Sequence, residues 1–341
     1  MDAAKRITIR DVARRAGVSI TAVSHALNDK GTLSEGTREK VRRIAEEMGY
    51  EADALARGLR RSRVGVIGLV VRPLDALGTY APSGVDYFLR YAGAAAARAL
   101  DLGLGLMQVA DLTKRPITPL AFSLDGYIVM DPLLDDPVVA LLQSRSMPFV
   151  TLNRDMSRPE ATNWVASDDQ EATERSLDHL EARGATTIAF VAGTDQNSWN
   201  HDGEAAYLRW CAERGQQPRL IRVPESAGDR GGRHAARQLL ASGLPDAVHC
   251  MTGRHAAGLQ AEFLTEGIRT PDDLLLVAGS DSEQTRTASP PITALDLHPE
   301  EQAKATVDLL DATIRGEAPT QGILRRSQLI IRASTVGERS S

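Results

Sequence analysis

The sequence predicts two differently built parts, an all-α helix-turn-helix head in residues 1–50 and an α/β core with parallel sheets from residue 64 onward. Three observations lead there. Between Ile9 and Asn28 two short helical patterns flank a tight turn at Gly17. From Val64 on, short apolar β-branched runs alternate with helical stretches, the signature of parallel strands joined by right-handed crossovers. Charge is also divided unevenly. Residues 1–63 hold 14 Lys/Arg against 9 Asp/Glu, a net of +5, and the rest holds 26 against 36, a net of −10. An acidic chain with one cationic end confines polyanion binding to that end.

Within the head, Thr8 with Asp11 three residues later resembles a capping box with the shorter acid in place of Glu. Val12, Ala13 and Ala16 then share one helical face. Gly17 is the stop, because glycine takes a left-handed backbone without a Cβ clash. Ser19 caps the second helix. Its Val18, Val23 and Leu27 point inward, leaving Ile20, Thr21, Ser24, His25 and Asn28 outward. In such a pair the second helix enters the major groove. Ser34 caps a third helix with an apolar stripe of Val41, Ile44, Ala45 and Met48, ended by Gly49. Spacing alone also fits a three-helix bundle with no DNA role; the charge division favours the DNA-reading head.

The core elements come next along the chain. Val64–Val71 reads as a strand buried on both faces, 72–84 as a Pro- and Gly-rich loop, and Asp86–Leu100 as an Ala-rich helix. Strands are expected at Leu104–Val109, Gly126–Met130 and Phe149–Leu152, with a helix at Leu133–Ser144. A second set opens with a helix at Asp169–Arg183, a strand at Thr187–Val191 and a helix at Glu204–Arg214. Strands at Leu220–Val223, Ala247–Cys250 and Leu274–Ala278 come after it, with helices between them. Thr293–Leu297 begins a return, Pro299–Arg315 is helical, and Ser327–Arg332 is the last strand.

The run Ile9–Asn28, the pair Gly49-Tyr50 with Ala56-Arg57-Gly58-Leu59 after it, and the terminal Leu329–Thr335 together resemble the lactose-repressor (LacI) family of bacterial transcriptional regulators. The resemblance covers nearly the whole chain. It implies that Ile20, Thr21 and His25 read bases, with Ser19, Ser24 and Asn28 nearer the backbone. Ala22 stands where the family usually has Thr, and His25 where Arg is common. Histidine lacks the bidentate fork of Arg toward guanine, and its plainer alternative is a phosphate contact. By the same resemblance, residues 51–63 would be hinge and linker, with Ala54–Arg60 a hinge helix in the minor groove. There Ala56 and Arg57 would contact DNA and Leu59 would wedge a base step. So short a helix, containing Gly58, is expected to fold only on DNA.

For residues 64–341 the resemblance implies a two-lobed periplasmic-binding-protein-like core. Its N-lobe would be about 64–163 and 294–322, its C-lobe about 164–293 and 323–341, with crossings near 163–166, 290–294 and 322–326. A small-molecule effector would lie between the lobes at the carboxyl ends of strands. Position after strands nominates Tyr87, Asp111, Asp131, Asn153, Arg154, Asp168, Trp199 and Asp281; for each the alternative is an ordinary loop or cap. Three departures stand out. Gly203 occupies the family's usual arginine position, Thr252-Gly253 replaces Asn-Asp, and Gly279-Ser280-Asp281-Ser282 keeps one of two carboxylates. The segment Asp111–Ser123 is also too short and Pro-broken for the usual second helix. A ligand other than a typical hexose is therefore favoured over a conventional sugar, with no effector as the third option.

Other classes are disfavoured. No phosphate loop or dinucleotide fingerprint comes after the first strand, and no catalytic arrangement of Ser, His and Asp is recognisable, so no enzyme is expected. A periplasmic solute-binding protein would leave the head unexplained. No apolar run nears a membrane span and Met1–Arg10 is no signal peptide, so a cytoplasmic protein without membrane contact is expected. Cys211 and Cys250 sit in apolar contexts, the histidines lack ligand spacing, and no cofactor or metal is expected. The chain ends soon after its last strand, with no leucine-heptad tail, which favours a homodimer on a near-palindromic double-stranded operator.

Overall fold

A computed structural model of the chain describes residues 7–27, 31–48, 50, 63–71, 86–317 and 319–336. The chain divides into two compact units, Met1–Gly65 and Val66–Ser341. The proposed hinge, with Ala56, Arg57 and Leu59, and Asn28 of the head lie outside the described residues.

Among its described residues the first unit holds three helices: α1 (Ile9–Ala16), α2 (Ile20–Leu27) and α3 (Glu35–Glu47). The Asp11 carboxylate accepts hydrogen bonds from the Thr8 amide at 3.0 Å and its hydroxyl at 2.6 Å, so the capping pattern reaches back as the spacing suggested. Gly17 closes α1 with φ 69°, ψ 33°. Ser19 Oγ accepts from the Ala22 amide at 3.0 Å and starts α2. Val12, Ala16, Val23, Val41 and Ile44 interlock as the core of this unit.

The second unit is built on two six-stranded sheets. In the first lobe run β1 (Val66–Val70), α4 (Asp86–Asp101), β2 (Gly105–Val109), β3 (Tyr127–Met130), α5 (Pro137–Ser144), β4 (Phe149–Leu152) and β5 (Trp164–Ser167). The second lobe contains α6 (Asp169–Ala182), β6 (Ile188–Ala192), α7 (Ser198–Arg214), β7 (Arg219–Arg222) and α8 (Gly228–Ser242). It continues with β8 (Ala247–Cys250), α9 (Gly253–Thr265), β9 (Leu275–Ala278), α10 (Glu283–Thr287) and β10 (Thr293–Asp296). The chain then returns through α11 (Pro299–Ile314) and β11 (Ile323–Arg325) to the first lobe and ends in the second with β12 (Gln328–Ile330).

The sheet orders are β11-β5-β4-β3-β1-β2 and β12-β10-β9-β8-β6-β7. All pairings in the first are parallel; in the second only β10–β12 is antiparallel. Strands such as β3, β4, β6 and β8 are buried along their whole length, as covered parallel sheets require. No described helix is long and apolar enough to cross a membrane.

The expected lobe limits need correction. Residues 164–167 form β5 in the first sheet, 293–296 form β10 in the second, and 323–325 form β11 in the first. The chain therefore crosses after each of these strands, later than the resemblance implied, because each strand finishes its ladder before leaving. Two elements also start elsewhere than expected. α5 begins at Pro137 rather than Leu133, since the Asp136 carboxylate accepts from the Val138 and Val139 amides at 2.8 and 3.1 Å and Pro suits the first helical turn. α7 begins at Ser198 rather than Glu204, because Asn197 caps it by accepting from the Asn200 amide at 3.0 Å. Between Asp111 and Ser123 there is only a short 3₁₀ turn at Pro119–Phe122, in line with its broken sequence.

Candidate functional site: a helical DNA-reading face and an interlobe cavity

On α2 the outward face carries Ser19, Ile20 and Thr21, all exposed, Ile20 by 44%. The Ser19 hydroxyl oxygen is committed to the cap as an acceptor, with its proton left to donate outward. Spacing puts Ser24 outward, yet it is 8% exposed and turned toward the helical core. His25 is half-buried. Its carbonyl accepts from Arg38 Nη1 at 3.3 Å, so α3 holds the end of α2, and its ring lies over Gly31.

The core unit encloses a cavity of about 420 Å³ between the lobes. Its wall is assembled at strand ends: Asp111 after β2, Asp131 after β3, Asn153 after β4, Ser167 at the end of β5, Glu225 after β7, and Asp281 after β9. Tyr87 and Phe88 from α4 and Trp199 from α7 add aromatic surface. Six of the eight nominated residues thus lie on one wall: Tyr87, Asp111, Asp131, Asn153, Trp199 and Asp281.

Arg154 and Asp168 do not line it. Arg154 pairs with the Asp202 carboxylate across the cleft. Asp168 accepts from the Ser327 amide at 2.7 Å and hydroxyl at 2.8 Å and pairs with Arg175 at 2.9 Å, tying two interlobe crossings together. Reasoning from strand ends passed over Lys114, Asp195, Asn197, Glu225 and Arg254, which the wall includes. The same rule, applied to the ends of β6, β7 and β8, would have found the last four. Gly203 lies against Met251, whose Sδ would be 2.6 Å from an added Cβ, so no side chain reaches the cavity from there.

The polar residues of the wall are in different states. Asp281 accepts from Thr285 Oγ1 at 2.6 Å, Arg332 Nη1 at 2.8 Å and Arg286 Nη1 at 3.1 Å. Burial pushes its pKa up, but the Arg332 and Thr285 bonds outweigh that and hold it below the usual carboxylate range. Asn153 Nδ2 donates to Asp131 Oδ1 at 2.6 Å. Both residues sit in the left-handed region, φ 70° and 45°, one that Asn and Asp tolerate best among residues with a Cβ. The Tyr87 hydroxyl donates to Gln302 Oε1, and burial raises its pKa well above normal, so it stays a neutral phenol. Behind the wall Asp169 is pushed well up by burial first, then by Asp202 and Asp131. Among the described residues, contacts that join the lobes around the cavity include Arg154–Asp202, Arg286–Asp86 at 2.7 Å, and the Leu134 amide donating to the Gln196 carbonyl at 2.8 Å.

A helix-turn-helix unit in one chain with a bilobed core enclosing a cavity defines a two-part type of DNA-binding protein. Residues 8–53 match the family of bacterial regulatory proteins of the lacI type, and residues 177–335 match the periplasmic binding protein-like domain. The chain thus carries a LacI-family helix-turn-helix domain and a periplasmic-binding-protein-like domain. It is 25% identical over 338 residues to the probable HTH-type transcriptional repressor ExuR of Bacillus subtilis (strain 168), covering 96% of this chain and 98% of that protein. It is 26% identical over 342 residues to the HTH-type transcriptional repressor PurR of Escherichia coli O1:K1 / APEC, covering 96% of each. Among solved structures it resembles the Lac repressor dimer bound to operator and the anti-inducer ONPF, with 25% identity, TM-score 0.80, and coverage of 98% of this chain and 100% of that one. The transcriptional regulator CelR in complex with cellobiose shares the fold at 21% identity and TM-score 0.70, over 96% of this chain and 100% of that one.

Proposed function

We propose that the chain is a transcriptional repressor that binds a near-palindromic operator as a homodimer, its affinity set by a small molecule held between the lobes. The observation that carries this reading is the presence, in one chain, of an exposed α2 face with Ile20 and Thr21 and of an interlobe cavity. The relatives named as repressors support the sign of regulation, and the operator-bound Lac repressor dimer supports the dimer. Ser19, Ile20, Thr21 and His25 are the proposed major-groove residues, joined by Asn28 from the sequence. Ala56, Arg57 and Leu59 are the proposed minor-groove contacts. The ligand changes operator affinity only through its different affinity for the open and closed lobe arrangements.

Electrophoretic shift with the DNA upstream of the protein's own coding region, at several salt concentrations, tests the reading. Specific binding with a steep salt slope is expected. The double variant Thr21→Ala/His25→Ala should lose about 1–3 kcal/mol of specific affinity per lost base contact, while binding to unrelated DNA holds. A variant as tight and selective as the parent would place the reading surface elsewhere. The alternative of a regulator without an effector is less favoured, because the cavity wall includes buried acceptors that no described protein donor satisfies.

A further inference from the structure

The cavity's chemistry is lopsided. Its described wall carries five carboxylates, Asp111, Asp131, Asp195, Glu225 and Asp281, against two cations, Lys114 and Arg254; with Asp281 already paired to Arg332 and Arg286 from outside the wall, four carboxylates remain against the two.

An independent observation comes from hydrogen bonding. Asn153 is 8% exposed and lines the cavity; its Nδ2 is used on Asp131, while its Oδ1 is buried without a partner among the described residues. Gln284, also on the wall, has a buried Oε1 in the same condition. The wall therefore presents negative charge and open acceptors, and its occupant must bring donors. An ammonium has three N–H donors and no lone pair to satisfy, whereas each hydroxyl brings one donor and two acceptor sites. Tyr87, Phe88 and Trp199 supply the faces on which an apolar body, or the cation itself, would lie.

Resting on the reading that this cavity takes the effector, we infer that the ligand carries a protonated amine, seated at Asp131 and Asn153 with its apolar part against Tyr87, Phe88 and Trp199. The position of Lys114 makes the inference testable by sign. Its side chain is 66% exposed and its Nζ lies 3.8 Å from Asp111. Replacing it removes a repelling charge without touching the core.

Calorimetric titration of the full-length protein with pairs that differ by an ammonium for a hydroxyl, glucosamine with glucose and tryptamine with tryptophol, and with glucuronate as the anion, tests it. At least one amine should bind about tenfold or more tighter than its hydroxyl twin. Asp131→Asn, which keeps shape and tolerates the left-handed backbone, should weaken that amine about tenfold. Lys114→Met should tighten it severalfold. Equal or tighter binding of the hydroxyl twin, binding of glucuronate alone, weakening by Lys114→Met, or no amine binding at all would overturn the assignment. Operator shift without ligand on the same preparation separates the two readings. Retained operator binding in any of those cases leaves the repressor standing without an amine, and its absence in the parent removes the repressor itself.

Discussion

Gly31 decides where His25 stands. Its φ is +73°, and a Cβ there would come within 2.5 Å of His25 Nδ1. A side chain would pay about 1–2 kcal/mol for the left-handed backbone and displace the ring as well. Gly31→Ala should therefore lower the melting temperature of the DNA-reading unit and weaken operator binding; a variant equal to the parent in both would remove His25 from the reading face. Asp169 makes a second prediction at this scale. It is 7% exposed, and burial with nearby Asp202 and Asp131 raises its folded pKa. A carboxyl raised on folding contributes stability that is present below its unfolded pKa of about 4 and is lost as pH rises toward the folded value. Asp169→Asn should melt higher than the parent at neutral and alkaline pH, with the gap closing on acidification. A gap that widens toward acid pH would show that the carboxylate is stabilised in its charged form.

Caps decide where several elements begin, and two of them deceived periodicity. The Leu133 amide donates to the Asp136 carboxylate at 2.9 Å, so the apolar residues before Pro137 form a turn over the cavity and not a first helical turn. The proposed hinge Ala54–Arg60 lies outside the described residues, and its prediction comes from helix physics. Below about 12–15 residues nucleation dominates, and Gly58 costs about 1 kcal/mol more than Ala. Amides of 54–60 should exchange rapidly in the free protein and slow on operator binding, as followed by hydrogen–deuterium exchange with mass spectrometry. Protection without DNA would sink the idea of a hinge that folds on its target.

Ion pairs that bridge the two lobes of the core make lobe opening testable. Arg154–Asp202 and Arg286–Asp86 bridge the lobes, with Asp202 6% exposed at its side chain and each arginine about two-fifths exposed. Exposed pairs contribute about 0–1 kcal/mol each, but a buried carboxylate left without its arginine costs more. The double variant Arg154→Ala/Arg286→Ala should shift the unliganded core toward an open form. Its radius of gyration in small-angle scattering should rise while far-ultraviolet circular dichroism stays the same. Ligand affinity should fall with the closed fraction. Identical scattering would mean that closure does not depend on these latches.

The sequence by itself determined whatever depends on neighbours a few positions apart: the Gly17 turn, the Ser19 cap, most strands and helices of the core, and the cationic end. It also placed Tyr87, Asp111, Asp131, Asn153, Trp199 and Asp281 at strand ends or on facing helices, where the cavity wall lies. Only the tertiary structure decided to which lobe β5, β10 and β11 belong, that Ser24 turns inward, and that Arg154 and Asp168 hold the lobes and their crossings together instead of lining the cavity. The reason is range. Asp168 meets Ser327 across 159 positions and Arg154 meets Asp202 across 48, distances at which no local periodicity constrains a partner. Such pairs are selected by which strand completes a sheet edge and by which buried charge finds its counterion, and both are properties of the assembled fold.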